Sequence, residues 1–179
     1  MLYESKQMEE QAVLQTAAQM CAAARTAPKA TGKDQIVTYV LTGAEKDQLA
    51  DQMDAFGLRE FGENAGKWYG RDAKNVRAAQ AVVLIGIQDT YRGVQRCGFC
   101  GFGSCAACKA AGGHCAFAYI DLGIALSSAC LAASAGFADS RIMFSIGKAA
   151  EALDFLPQGI LWHGVPISVT GKSPFFDRK

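Results

Sequence analysis

Histidine and proline are scarce in this chain, with two of the first and four of the second in 179 residues. His114 and His163 alone, outside any serine–carboxylate pattern, leave no signature of a Ser–His–Asp hydrolase. So few prolines make no proline-rich segment, and no internal repeat, low-complexity segment or linker stands out along the chain. Charge of one sign is also missing: 18 basic against 17 acidic residues give a net charge of +1, and with it no electrostatic footprint for nucleic acid or an anionic membrane. The opening "MLYESKQMEE" is polar and acidic, so no signal peptide is expected. A single stretch, residues 116–138, is long enough to cross a bilayer. Asp121 and its many Ser, Ala and Gly residues make it read as a central helix of a soluble fold rather than a membrane span.

What the chain has in excess is cysteine, and in one place. Five of its seven cysteines fall in "CGFCGFGSCAACKAAGGHC", residues 97–115. Disulfide scaffolds spread their cysteines through small secreted chains, whereas a local cluster points to metal and a reducing cytoplasm. The spacing is Cys97-x2-Cys100-x4-Cys105-x2-Cys108-x6-Cys115. A [4Fe–4S] cluster takes four thiolates from a compact, turning backbone. Gly98, Gly101 and Gly103 permit such turns, Phe99 and Phe102 are candidate shields against water, and Cys115 is placed to return as the fourth ligand. Zinc is the alternative, through the two C-x2-C pairs or with His114 beside three cysteines, but only four residues separate the pairs, short for two zinc knuckles. Iron–sulfur is the favoured reading. One of the five cysteines is then surplus, and leaving out Cys108 gives C-x2-C-x4-C-x9-C. Cys21 and Cys130 fall on helical faces where cysteine serves as a small apolar filler.

Elsewhere the periodicity predicts a helix over 8–25, ended by Pro28, and a β-branched strand over 35–41. A capping box of Thr42 and Glu45 opens a helix that Gly57 closes, and a further helix starts near Ala65. "AVVLIGI" (81–87) is apolar throughout, as in an interior strand buried on both faces. A long helix from Ala116, a strand at 141–145, a helix at 146–155 and a strand pair within 159–170 complete the pattern. It predicts one domain over 1–179, α+β or α/β in class, with the metal-binding loop (92–116) set inside it.

"CGFCGFGSC", "CAFAYIDLGIALSSA", "SRIMFSIGKAA" and "GVPISVTGKSPFFDR" together resemble a prokaryotic family of unknown function described as ferredoxin-domain-containing proteins. The resemblance runs from about Met8 to Arg178 and implies C-x2-C-G-x3-C followed by a cysteine ahead of the "DLGIA" helix. It therefore implies Cys97, Cys100, Cys105 and Cys115 as the ligands, with Cys108 outside the pattern. A weaker resemblance is to nitroreductase-like flavoproteins, in the order of "AARTAPKATGKD", "AVVLIGI", the 116–138 helix and "GVPIS". It implies an α+β nitroreductase-like fold and a homodimer joined through the long helices. It also brings in FMN as a second cofactor, although the arginine-rich segment that holds the flavin phosphate has no counterpart and Gly32 stands at the turn's asparagine. Candidate groups for that phosphate are Arg25, Lys29, Lys33, Lys172 and Arg178. The functional expectation is an iron–sulfur redox protein, transferring electrons from a donor protein or reducing a small substrate with a flavin. The alternative is a non-catalytic protein that metal staples or turns into a sensor.

Four remaining features have plainer readings. "TGK" at 31–33 and 170–172 lacks the preceding glycine of a P-loop. Phe175 and Phe176 pin a charged C-terminal tail. Asp121, if buried, needs a partner, for which the cysteine-loop backbone and Arg141 are candidates. Asp139 and Arg141 make a candidate surface pair of small energetic weight.

Overall fold

The computed structural model describes residues 1–65, 67–88 and 90–176, with the backbone alone at 64 and 65. Its centre is a four-stranded antiparallel sheet in the order β1-β2-β4-β3, built from β1 (Ile36–Leu41), β2 (Ala81–Gln88), β3 (Asp139–Ser140) and β4 (Ile160–Ser168). Helices cover both faces: α1 (Ser5–Thr26) and α5 (Ala116–Ala135) on one, α2 (Gly43–Ala65), α3 (Lys67–Ala78) and α6 (Phe144–Ala150) on the other. A short α4 (Cys105–Ala110) lies within the cysteine segment. This is an α+β architecture, one of the two classes that the pattern of elements predicted.

The apolar run of β2 exists because both its faces are interior. Ala81, Val83, Ile85 and Ile87 pack under α1 and α5, while Val82 and Leu84 point into the second core with Met53, Val76, Ile146 and Trp162. Gly86 breaks the run for want of space: a Cβ there would meet Ile160 and the Trp162 ring at 2.4 Å. On the same face α6 lies directly on β4. A Cβ at Gly147 would stand 1.8 Å from the Trp162 carbonyl oxygen, and one at Gly164 would stand 2.0 Å from Ile146.

α5 is one helix long and apolar enough to cross a membrane by length and composition. Here it packs as a core element: Ala118, Leu122, Ala125, Ala129 and Ala133 face α1 and the sheet, their small side chains letting the helices approach. Its other face leaves Tyr119, Ile120, Ile124 and Leu131 exposed.

Four elements differ from expectation. α2 does not end at Gly57, which is buried inside it; the helical φ/ψ are broken at Gly62 instead. A lone glycine costs a helix only about 1 kcal/mol, and Phe56 and Phe61 stacked against Trp68 and Tyr69 of α3 hold the extension. The strand expected at 141–145 shrinks to Asp139–Ser140 plus one bridge from Met143 to Gly164, because Phe144 already begins α6. α6 correspondingly runs Phe144–Ala150 rather than over 146–155. The expected strand pair within 159–170 is one continuous strand; Gly164 makes room for Ile146 rather than for a turn. Pro166 has no N–H to give, and the ladder to β3 stops beside it, at Ile167.

Candidate metal centre

β2 delivers the chain to the end of the sheet at Gln88, and residues 90–104 then run without helix or strand. Gly98 (φ 64°) and Gly101 (φ 81°) take left-handed backbone conformations, and a turn closes between them through Gly101 N–H to the Gly98 carbonyl at 2.9 Å. Arg96, just ahead of the first cysteine, is held at φ 54°, a conformation uncommon for a non-glycine residue. Ser104 caps α4, its hydroxyl accepting from the Ala107 N–H at 3.1 Å, so that Cys105 opens the helix and Cys108 follows one turn later. Cys115 occupies the N-cap of α5 without a side-chain cap bond, placing its thiol at the positive end of a twenty-residue helix.

These turns bring Cys97, Cys100, Cys105 and Cys115 around one cavity of about 290 Å³, with Tyr91, Arg96 and Phe102 in its wall. Cys108 is fully buried beside it rather than in the lining. Burial, a hydrogen bond with Cys100, and the neighbouring Cys100, Cys115 and Cys105 push its thiol up to about 11. Its Sγ also lies 3.5 Å from the His114 carbonyl oxygen. Gly113 is needed next to it, because a Cβ there would meet the Phe102 ring at 2.8 Å and the Cys108 sulfur at 3.0 Å. All seven cysteines are free thiols. Among the described residues, no three His, Cys, Asp or Glu side chains form a group that could hold a single ion as they stand.

Other expectations fare unevenly. Phe102 lines the cavity, but Phe99 is 69 % exposed and packs instead against Phe117, ring centroids 5.5 Å apart. His114 meets the Tyr119 ring edge-on and does not line the cavity. Cys21 and Cys130 are half-buried, with burial raising both thiols against smaller opposing hydrogen bonds to Thr38 and Ser140. Phe175 is buried in the second core, while Phe176 is exposed beneath the Arg141 guanidinium, 5.7 Å from its ring.

The candidate phosphate ligands do not gather into a cradle. Arg25 pairs with Asp34 at 2.6 Å. Lys29 turns its ammonium inward, donating to the Arg25 and Ala27 carbonyls at the end of α1, with Asp34 3.8 Å away. Lys33 and Lys172 are exposed, none of these four lines the cysteine cavity, and Arg178 lies outside the described residues.

Asp121 is buried and does need a partner, but its partner is neither the cysteine loop backbone nor Arg141. Arg92 donates to it at 2.5 Å, and so does the Ala30 N–H at 3.0 Å. Arg141 donates to the Phe175 carbonyl at 3.2 Å. Sequence reasoning passed over Arg92 and Tyr91. The signal was a lone carboxylate in an apolar helix, which demands a cation, and an arginine waiting between the central strand and the first cysteine.

The four-stranded antiparallel sheet with helices on both faces is the nitroreductase fold. The chain superposes on a nitroreductase with bound FMN from Bacteroides fragilis with a TM-score of 0.64, at 10 % identity, over 92 % of this chain and 81 % of that one. A putative nitroreductase in complex with FMN from Desulfovibrio desulfuricans gives 0.59 at 14 % identity, over 92 % and 78 %. These likenesses establish the fold. A family model described as "Uncharacterized protein containing a ferredoxin domain (DUF2148)" matches residues 111–178. An uncharacterized protein of Archaeoglobus fulgidus is 39 % identical over 186 aligned positions, covering 99 % of this chain and 98 % of that protein. The chain belongs to this family of ferredoxin-domain proteins.

Proposed function

We propose that the protein is a one-electron redox protein carrying a single [4Fe–4S] cluster on Cys97, Cys100, Cys105 and Cys115. The observation that carries this reading is the set of four thiols lining one cavity. Four sulfurs on one zinc, each at about 2.3 Å, stand within about 4 Å of one another. A cuboidal cluster instead takes its four thiolates at separated corners, and the four thiols here line one cavity. When bound, the cluster supplies reversible uptake of one electron. The chain's own part is to hold the thiolates, to exclude water with Phe102 and to set the positive end of α5 behind Cys115. The family's description as containing a ferredoxin domain agrees with this role. A reducing cytoplasm and a separate electron-donor protein go with it.

The homodimer belongs to the same reading, with the exposed Ile120, Ile124 and Leu131 of α5 as its apolar contact. FMN fits less well. The superposed nitroreductases from Bacteroides fragilis and Desulfovibrio desulfuricans hold FMN, but Arg25 and Lys29 here are committed to Asp34 and to the end of α1. The deciding experiment is anaerobic purification with a visible spectrum and assays for iron, sulfide, zinc and flavin. Iron and sulfide near four each per chain, with broad violet absorbance, are expected; a colourless zinc protein would sink the proposal. Light scattering on the same sample tests the dimer, and FMN fluorescence on titration tests the flavin.

A further inference from the structure

We propose that Arg92 and Asp121 are positioning residues of the cysteine centre, a clamp that sets the distance between the two ends of the ligand loop. The inference rests on the cluster reading above and adds a device to it. Arg92 lies five residues before Cys97, and Asp121 lies six after Cys115. Their side chains are 1 % and 2 % exposed and joined by a 2.5 Å bond from the Arg92 guanidinium to the Asp121 carboxylate. Each also reaches the turn after α1: Asp121 accepts from the Ala30 N–H at 3.0 Å, and Arg92 donates to the Lys33 carbonyl at 3.0 Å. One ion pair therefore ties the entry to the loop, the helix that leaves it and the α1–β1 connection.

Stability alone does not account for such a pair. Desolvating two charges costs several kcal/mol, which their attraction barely returns, and apolar residues of similar volume often serve as well or better. Arg92 is moreover imperfectly satisfied, its Nε being buried without a partner among the described residues. What an ion pair adds over two apolar side chains is direction. The guanidinium fork and the carboxylate fix distance and angle, whereas a leucine and a methionine would let the loop ends slide. Four thiolates that must meet one rigid cluster require that constraint. Outer-shell partners of this kind typically affect metal retention by about 10- to 100-fold.

The test uses the full chain, reconstituted anaerobically with ferrous iron and sulfide, in the wild type, Asp121→Asn, Arg92→Lys and the double variant Arg92→Met/Asp121→Leu. Folding is checked by circular dichroism before loading. Cluster loss to an iron chelator is then timed, and the midpoint potential is measured. The expected result is cluster loss about 10-fold faster or more in every folded variant. The potential of Asp121→Asn should also rise, because removing one negative charge leaves Arg92 to favour the reduced, more negative cluster. If the double variant folds and keeps the wild-type cluster lifetime, the clamp is not a positioning device. Should the double variant not fold, Arg92→Lys, which retains the charge and loses the fork, decides the matter by the same lifetime. Failure of the wild type itself to take up iron and sulfide would instead overturn the cluster reading, so the two failures are distinct.

Discussion

The Tyr91 hydroxyl donates to the Gly113 carbonyl at 2.6 Å, joining the stretch that enters the cysteine loop to the stretch that leaves it. The bond spans the 21 residues 92–112, with Cys97, Cys100, Cys105 and Cys108 among them. Tyr91 also lines the cavity, so its ring is wall and its hydroxyl is latch. Removing the latch with Tyr91→Phe should lower stability by about 0.5–1.5 kcal/mol, the net worth of such a bond. Amide exchange at 112–115 should rise more than exchange in β2. Denaturant unfolding and hydrogen exchange check both, and exchange at 112–115 equal to wild type would show that the loop is held elsewhere.

Single serine substitutions at Cys97, Cys100, Cys105 and Cys115 should each abolish or destabilise the cluster, read as iron per chain after anaerobic reconstitution. Cys108→Ala should retain iron, since Cys108 is buried beside the cavity rather than in its lining. Iron lost from Cys108→Ala and kept by Cys97→Ser would move the ligand set inward, to the thiols that surround Cys108.

Two glycine-to-alanine changes should have opposite signs. At Gly147 the added methyl has no room against the Trp162 carbonyl, and moving α6 off β4 should cost about 3 kcal/mol or more, enough to deplete folded protein in expression trials. At Gly123, on the exposed face of α5, a Cβ meets nothing within 4 Å, and the gain in helix propensity should stabilise by about 0.5–1 kcal/mol. A Gly147→Ala midpoint at or above that of the wild type would contradict the packing described for α6.

His163 carries a pH dependence. Burial lowers its pKa from 6.5, a backbone hydrogen bond at Trp162 opposing in part, so the folded state favours the neutral ring. Its Nδ1 is buried and without a partner among the described residues. The unfolded chain then binds more protons than the folded one between the two pKa values, and stability rises with pH across that window. The stabilising contribution is complete above about 6.5, falls away as pH drops below it, and levels off once the folded ring also protonates. Thermal midpoints measured from pH 7.5 down to pH 5 should fall more steeply for the wild type than for His163→Gln. Parallel slopes would mean that another group titrates.

Much of the local structure was legible in the sequence alone. Apolar spacing along α1, the unbroken run of β2 and the length of α5 are properties of neighbours within a few residues, and they agree with the structure to within a few positions. The metal reading rests on the crowding of cysteines into 97–115, which is also a local property of the chain. What depends on residues far apart in the chain came from the fold. It gave Asp121 to Arg92 across 29 positions, turned Lys29 back onto α1 and packed Cys108 beside Cys100. It also separated the roles of glycines that look alike in sequence: Gly57 is buried within a helix, Gly62 breaks one, and Gly147 and Gly164 are gaps for a neighbouring element. Periodicity and propensity record how a segment sits against its own next turn. A buried charge, a missing Cβ or a surplus thiol takes its meaning from whatever the folded chain brings within a few ångströms of it.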